Sequence, residues 1–442
     1  MGSELKTALP LAEVVSRIDA SMQRWEAQLI ECLQHLVRTP SENLPPEGGE
    51  RACQLQVADW LRQINAQPDV YDLTTVDSLS SHPEFYPGRN YRNRPNVNAR
   101  ITGSGGGRSL ILSGHIDTVP ADTPVSWKHG PFAGELRNGK LFGRGAWDMK
   151  AGVAANVVVL RILKECGIRL AGDLIFESVV DEEFGGANGT LAARLRGYNA
   201  DAAVIGEPTS LRICPAQRGG RTLHIALKGN GGILTGDRPA GRAVDQLAHV
   251  LASLKEFQQR REARVAIDPY YANSVEPFAV WVTNIATGRW GWTQPISIPE
   301  ICQLEVYWQA MPDETEEEIE REFGEWWTAM VNRRPDLFTQ PPVVDRPMRW
   351  LPGCSIPRNS SLIAEFSKAA ESCGLEPIVE GLDAPSDMYI FQKCFNTPAM
   401  MWGAKGGRAH QADEYVDLDS LKKATRALAH FVCRWCGVQG VE

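Results

Sequence analysis

Apolar side chains recur at Ile18, Met22, Trp25, Leu29, Leu33 and Leu36, with mainly polar residues between them. Steps of three and four put them on one face of a helix, so residues 18–37 are expected to pack an amphipathic helix on a core. Short apolar runs of strand length follow at Ser109-Leu110-Ile111-Leu112-Ser113, at residues 173–180 and at Ala202-Ala203-Val204-Ile205. Between the first two, Ala151 to Cys166 is rich in Ala, Val and Leu and predicts a buried helix. Strands alternating with helices argue for an α/β sheet with helices on both faces.

The pattern changes after Pro215. Leu223, Ile225 and Leu227 alternate with Thr222, His224, Ala226 and Lys228, the period of a half-exposed strand. A helix is expected from about 241 to 257 and strands near 278–284 and 302–308. A second helix starts at Asp313-Glu314-Thr315-Glu316-Glu317, with carboxylates at its positive end. This β-α-β-β-α order predicts a small α+β domain inserted into the larger one. Pro341-Pro342 and Pro352-Gly353 mark the return. The expected organisation is a larger domain from 1–217 and 341–442, with an inserted lid from 218–340.

Composition narrows the classes. At 442 residues the chain exceeds one typical core. The net charge of −8 is spread along it and offers no basic face, so nucleic acid is not an expected partner. Its apolar stretches are too short for a membrane span. Met1-Gly2-Ser3-Glu4-Leu5-Lys6 lacks the apolar core of a signal peptide, and Gly2 lacks the Ser or Thr at position 6 that favours myristoylation. The ten cysteines have no disulfide-framework spacing. Cys32, Cys166 and Cys214 sit in apolar patterns and read as core residues of a cytoplasmic protein, and Cys433-Arg434-Trp435-Cys436 reads as part of a C-terminal helix.

Five dispersed segments carry the chemistry: Gly114-His115-Ile116-Asp117, Gly143-Arg144-Gly145-Ala146-Trp147-Asp148, Asp181-Glu182-Glu183, Gly206-Glu207-Pro208 and Ala409-His410. Taken singly these are ordinary: a hydrogen-bonded surface pair, a solvated helix start, a turn. Together they are not, because four follow apolar runs that read as strands, and ligands of open α/β sheets gather at strand carboxyl ends. Two histidines and three carboxylates suit a pair of divalent ions, with one carboxylate left as a base. Asp148 is the bridging candidate, after a Gly-Arg-Gly that permits a tight turn. His115 and Glu207 would complete one ion, Glu183 and His410 the other. Asp117 is placed to accept the second imidazole N–H of His115. Of Glu182 and Glu183, one would hold metal while its neighbour takes a proton from water.

At these residues the chain resembles the aminoacylase, acetylornithine deacetylase, succinyl-diaminopimelate desuccinylase and glutamate carboxypeptidase metallopeptidase family. The matching text runs from Gly114 to Pro120, through Pro131-Phe132 and Asn138 to Lys150. It continues at Asp181-Glu182-Glu183-Phe184-Gly185-Gly186, Gly206-Glu207-Pro208-Thr209 and Ala409 to Glu414. The resemblance implies a mixed-sheet α/β catalytic domain holding one or two Zn, Mn or Co ions, and an inserted α+β lid used for dimerisation. It also implies Glu182 as general base and His115, Asp148, Glu183, Glu207 and His410 as ligands.

The lid departs from the family pattern. Family lids carry a His after a Lys-Gly pair, an Asn two residues before Ile-Pro and an Arg three residues before a Pro. Here Lys228-Gly229 is followed by no His up to 248, Ile296 precedes Ile298-Pro299, and Gln309 precedes Pro312. That Asn and Arg normally hold a substrate carboxylate, and the His steadies the reacting carbonyl oxygen. Three readings follow. The expected one is hydrolysis of a non-peptide C–N bond by attack of metal-bound hydroxide, as in deamination of an aromatic amine such as 5-nitroanthranilate, where no carbonyl oxygen needs a donor. For it, Arg289 would pair with a carboxylate or nitro oxygen, and Trp290 and Trp292 would stack on the ring. The alternative is a deacylase of an N-acyl amino acid or related amide, and the third a metal-binding non-enzyme. Expected partners are a small-molecule substrate and further copies of the chain, as a homodimer or higher homo-oligomer.

Overall fold

The computed structural model describes residues 10–121, 126–233, 240–288 and 297–441. Arg289, Trp290 and Trp292 lie outside the described residues. Two compact units form. The first comprises residues 1–216, 356–382 and 386–442, and the second residues 217–355 and 383–385. Their two principal sheets use β1 (Asp69–Asp72), β2 (Pro95–Ile101), β3 (Leu110–His115), β4 (Leu174–Val179), β5 (Ala203–Ile205), β6 (Gly219–Lys228), β7 (Val280–Thr287), β8 (Ile301–Ala310), β9 (Val343–Asp345) and β10 (Ala399–Met401). The helices are α1 (Leu11–Arg38), α2 (Arg51–Gln63), α3 (Lys150–Glu165), α4 (Asn188–Leu195), α5 (Ala243–Arg264), α6 (Glu316–Asn332), α7 (Ser361–Ser372) and α8 (Leu418–Cys436).

The first unit is built on a six-stranded sheet in the order β10-β5-β3-β4-β2-β1. The four strands from β10 to β4 are parallel, whereas β2 runs antiparallel to β4 and β1 antiparallel to β2, so the sheet is mixed. Every residue of β3, β4 and β5 is buried, the reason their sequences are apolar runs without alternation. Pairing aligns His115 with Val179, and Ser113 with Ile205. The residues just beyond these strands therefore emerge at one sheet edge. Helix α3 is buried nearly throughout and packs with α1 and α8. At its start Gly152 meets the turn after β5 so closely that a Cβ would stand 2.2 Å from the Gly206 carbonyl oxygen.

The second unit, the part expected to be the lid, holds an antiparallel sheet in the order β7-β8-β6-β9. Leu223, Ile225 and Leu227 of β6 pack with Phe257 of α5 and with Phe323 and Trp326 of α6. Helix α6 begins in a capping box: the Thr315 side chain accepts the Glu318 N–H and the Glu318 side chain accepts the Thr315 N–H. The observed β-α-β-β-α order is the one the hydrophobic pattern predicts. The return point differs. Val343 and Asp345 of β9 pair with Ala226 and His224 of β6, so the segment after 340 continues in this unit through Ser355. All ten cysteines are free, and Cys433 and Cys436 are buried within α8. Among the described residues no helix is long and apolar enough to cross a membrane.

Candidate metal centre

His115 is the last residue of β3, Asp181-Glu182-Glu183 follow β4, and Glu207 follows β5. Asp148 arrives differently. It lies just ahead of α3, after a hairpin of Glu135–Arg137 and Lys140–Phe142 outside the main sheet. His410 sits between the short strands Gly406–Gly407 and Tyr415–Asp417, and the latter pairs with that hairpin. Two distant stretches thus meet through a small second sheet.

The side chains converge. His115 Nε2 lies 3.3 Å from Asp148 Oδ1, 3.8 Å from Glu182 Oε2 and 3.9 Å from Glu207 Oε1. His410 Nε2 lies 3.3 Å from Asp148 Oδ2 and 2.9 Å from Glu183 Oε2. Asp148 therefore offers one carboxylate oxygen to each histidine. Ligand atoms of His115, Asp148 and Glu183 fall within 4.8 Å of one another. His115 is buried, while His410 is half exposed at the rim.

Behind this layer the loops are held by polar contacts. Asp117 does not orient His115 with its carboxylate, as its spacing suggests. The His115 Nδ1 contact, at 2.9 Å, is to the Asp117 backbone oxygen, with the nearest carboxylate oxygen 3.7 Å away. The carboxylate is taken instead by the N–H groups of Glu182 and Glu183 at 3.0 and 3.1 Å and by Asn43 Nδ2 at 2.9 Å. Asn43 also reaches Asp181, whose carboxylate accepts the Tyr91 hydroxyl at 2.5 Å. The backbone carrying Glu182 and Glu183 is thereby pinned to Asp117. On the other side, Gly145 has φ +77°, and a Cβ there would meet the Thr118 methyl at 2.6 Å. The Gly-Arg-Gly turn needs that freedom.

Electrostatics follow from crowding. Burial opposes charge on His115, but Asp148, Glu182 and Glu207 outweigh it and raise its pKa well above the usual range. For His410 burial is likewise overcome by Asp148 and Glu183, and the pKa is pushed up to about 11. Burial raises Glu182 and Glu207 well above the carboxylate range, each further raised by the other carboxylates against the pull of His115. Asp148 alone is lowered, because both histidines outweigh its burial. His115 Nε2 is buried and makes no well-aligned hydrogen bond, although three carboxylate oxygens surround it. An orphaned imidazole nitrogen facing several anions is the donor set that suits a divalent cation.

Two carboxylates that motif spacing did not single out belong to the surroundings. Glu414 is buried and accepts N–H groups of the Asp148 loop; its carboxyl is pushed up to about 7, by burial first and then by Asp148. Asp387 is buried, accepts the Thr190 hydroxyl, and adds to the negative field felt by Glu182 and Glu207. Asp387 has no local sequence signal, and Glu414, although within the matching text, gives no sign of its partners, which are distant in the chain. In the lid, Gln309 is buried and its amide donates to the backbone oxygen of Asp383.

A mostly parallel sheet whose strand ends deliver histidines and carboxylates to one cluster defines a metal-dependent hydrolase. The comparisons agree. The profile described as "Peptidase family M20/M25/M40" matches residues 111–434, and the chain belongs to that family. It is accordingly a hydrolase acting on C–N bonds. It is 25% identical over 460 residues to the N-formyl-4-amino-5-aminomethyl-2-methylpyrimidine deformylase of Halalkalibacterium halodurans, covering 96% of this chain and 98% of that protein. It is 29% identical over 405 residues to a succinyl-diaminopimelate desuccinylase of Methylobacterium radiotolerans, covering 89% and 93%. The crystal structure of human carnosine dipeptidase 1 superposes with a TM-score of 0.70 at 15% identity, covering 96% of this chain and 99% of that one, and so shares the fold.

Proposed function

We propose that this chain is a deacylase that hydrolyses the amide of an N-acylated amine, and that Asp148 would be shared between two divalent ions. His115 and Glu207 would complete one ion, His410 and Glu183 the other. Mixed imidazole and carboxylate ligation suits Zn, Mn and Co alike. The observation that carries the reading is the Asp148 carboxylate, with one oxygen 3.3 Å from each histidine. Ions held by these residues would supply Lewis acidity to the amide carbonyl and the attacking water. Glu182 takes the water proton on its carboxylate as the water oxygen bonds to the carbonyl carbon. It returns that proton to the nitrogen as the C–N bond breaks. Asp117 holds the Glu182 and Glu183 backbone while this happens.

The substrate we infer is an acyl amine without the α-carboxylate of an amino acid. Gln309 stands where family lids carry the carboxylate-binding Arg, and its amide is committed to Asp383. A neutral amide cannot replace a guanidinium fork on a carboxylate. The deformylase among the relatives is named for an N-formyl aminomethylpyrimidine, which fits a site without that clamp. The aryl-amine reading drew on the same departures of the lid, with Arg289, Trp290 and Trp292 as its ring-binding residues; the relatives named as a deformylase and a desuccinylase favour the amide.

We further propose that the chain works in the cytoplasm, which its ten free cysteines support, and assembles through its lid. Strand β7 is an exposed edge of the lid sheet, with Trp281 and Ile285 partly open to solvent. Such an edge is a template for pairing with a second copy.

The test is a substrate panel with enzyme loaded with Zn, Mn or Co. It contains an N-formyl aminomethylpyrimidine, N-acetyl and N-succinyl amino acids, and 5-nitroanthranilate. The highest kcat/KM is expected for the carboxylate-free formyl amide. Preference for an acyl amino acid would refute the substrate class, and ammonia release from the nitroaromatic would refute the amide reading.

A further inference from the structure

Glu414 lies four residues beyond His410, and its side chain is about 1% exposed. All its strong contacts come from one short stretch. Oε2 accepts Arg144 Nη1 at 2.9 Å and the Gly145 N–H at 3.1 Å. Oε1 accepts the Trp147 N–H at 2.9 Å and the Asp148 N–H at 3.1 Å. The Glu414 backbone oxygen accepts the Gly143 N–H at 2.9 Å. Arg144 also reaches the Gln411 carbonyl at 3.3 Å, next to His410. Immediately after Glu414, Tyr415 pairs with Phe142, so strand pairing and carboxylate act on the same two segments.

Four donors on one side chain require four acceptor sites, which a carboxylate has and a neutral amide lacks. A Gln of the same shape would turn its NH₂ group onto two N–H donors. The loop has other ties, its turn bonds Ala146 N–H to Gly143 and Lys150 N–H to Gly145, Arg144 to the Pro131 and Pro120 carbonyls and the Trp147 indole to the Ala404 carbonyl, but the Asp148 N–H is held by Glu414. Without Glu414 the Asp148 N–H and the Arg144 guanidinium lose their shared partner, and the spacing of Asp148 from His410 loses its brace.

We propose that Glu414 is a positioning residue of the metal centre, an anionic pin that fixes Asp148 relative to His410. It acts through the loop and not on the substrate. The inference rests on the reading of Asp148 and His410 as ligands.

Metal-free wild type, Glu414→Gln and Arg144→Met would be titrated with cobalt(II), following affinity and the visible d–d spectrum, with melting temperature recorded before loading. Glu414→Gln is expected to bind cobalt 10–100-fold more weakly, the usual size of an outer-layer loss at a metal site. Its spectrum should be altered, while the metal-free melting temperature stays within a few degrees of wild type (about one lost contact's effect). Arg144→Met, which removes one of the four donors, should show a smaller change of the same kind. Wild-type affinity and spectrum in Glu414→Gln would overturn the pin. Should that variant not fold, an unchanged spectrum in Arg144→Met would overturn it instead. A wild type that takes up no cobalt would overturn the ligand assignment beneath it.

Discussion

Two histidine–glutamate pairs of nearly equal length behave in opposite ways. In the lid, His224 meets Glu305 at 2.7 Å; in the first unit, His410 meets Glu183 at 2.9 Å. Both histidines are about half exposed, at 53% and 51%, so the imidazole does not make the difference. The carboxylates do. Glu305 is 33% exposed and also accepts the Thr283 hydroxyl. Its burial is outweighed by Thr283 and His224, and its pKa is lowered. Glu183 is 4% exposed and lies beside Asp148, and burial with that second anion raises its pKa despite His410. The lid pair is a contact on a sheet surface, and among the described residues no second carboxylate joins the pair's own hydrogen bonds. The other is one corner of a cluster in which carboxyl groups outnumber imidazoles, a donor set that suits a divalent cation.

Four predictions test that contrast. The largest effect belongs to the proposed base. Glu182→Gln should lower kcat by at least about 10²-fold, the low end for loss of a general base, with metal content unchanged by elemental analysis. Metal loss in this variant would move Glu182 from base to ligand. Next, His115→Ala should lose bound metal, whereas His224→Ala should keep full stoichiometry and activity. Equal metal loss in the two variants would erase the distinction between the pairs.

A third prediction concerns the lid core. Trp326 is 1% exposed and lies 4.9 Å from the Phe257 ring centre. Trp326→Ala should destabilise the lid by about 3–5 kcal/mol in denaturant unfolding, while metal content is retained. Unchanged stability would show that the stacked aromatics do not set the lid's strength.

The smallest effect is a pH slope far from the metal. His430 is buried and contacts Asp19 at 2.8 Å, and Arg426 also holds Asp19. Burial lowers His430 below its ordinary 6.5 against the pull of Asp19. Asp19 is lowered because Arg426 and His430 outweigh its burial. Both groups bind fewer protons folded than unfolded, so their stabilisation is present above the unfolded values and is lost on acidification. Melting temperature should begin to fall as pH drops below 6.5, and His430→Gln should flatten the upper part of that fall. An identical slope in the variant would remove His430 from the account.

What was legible in the chain was what period and position could carry. Apolar runs without alternation marked β3, β4 and β5, and the residues just past them, His115, Asp181 to Glu183 and Glu207, indeed share one sheet edge. Asp148 and His410 were legible as residue types, but the hairpin sheet joining them was not. The actual partner of Asp117 was hidden because Asn43 is 74 residues away and carries no motif. Glu414 stood within the matching text, yet its contact with the Asp148 N–H spans 266 residues. The lid's return point was missed for a simpler reason. Strand β9 is three residues long and largely exposed, too short to show a period, and only its pairing with β6 assigns it.

The central claim is that Asp148 bridges two ions. Crystals of protein loaded with manganese, measured at an energy where manganese scatters anomalously, would test it most directly. The account predicts two peaks flanking Asp148, one beside His115 and Glu207, the other beside His410 and Glu183. A single peak remote from Asp148, or none in protein that retains activity, would contradict it.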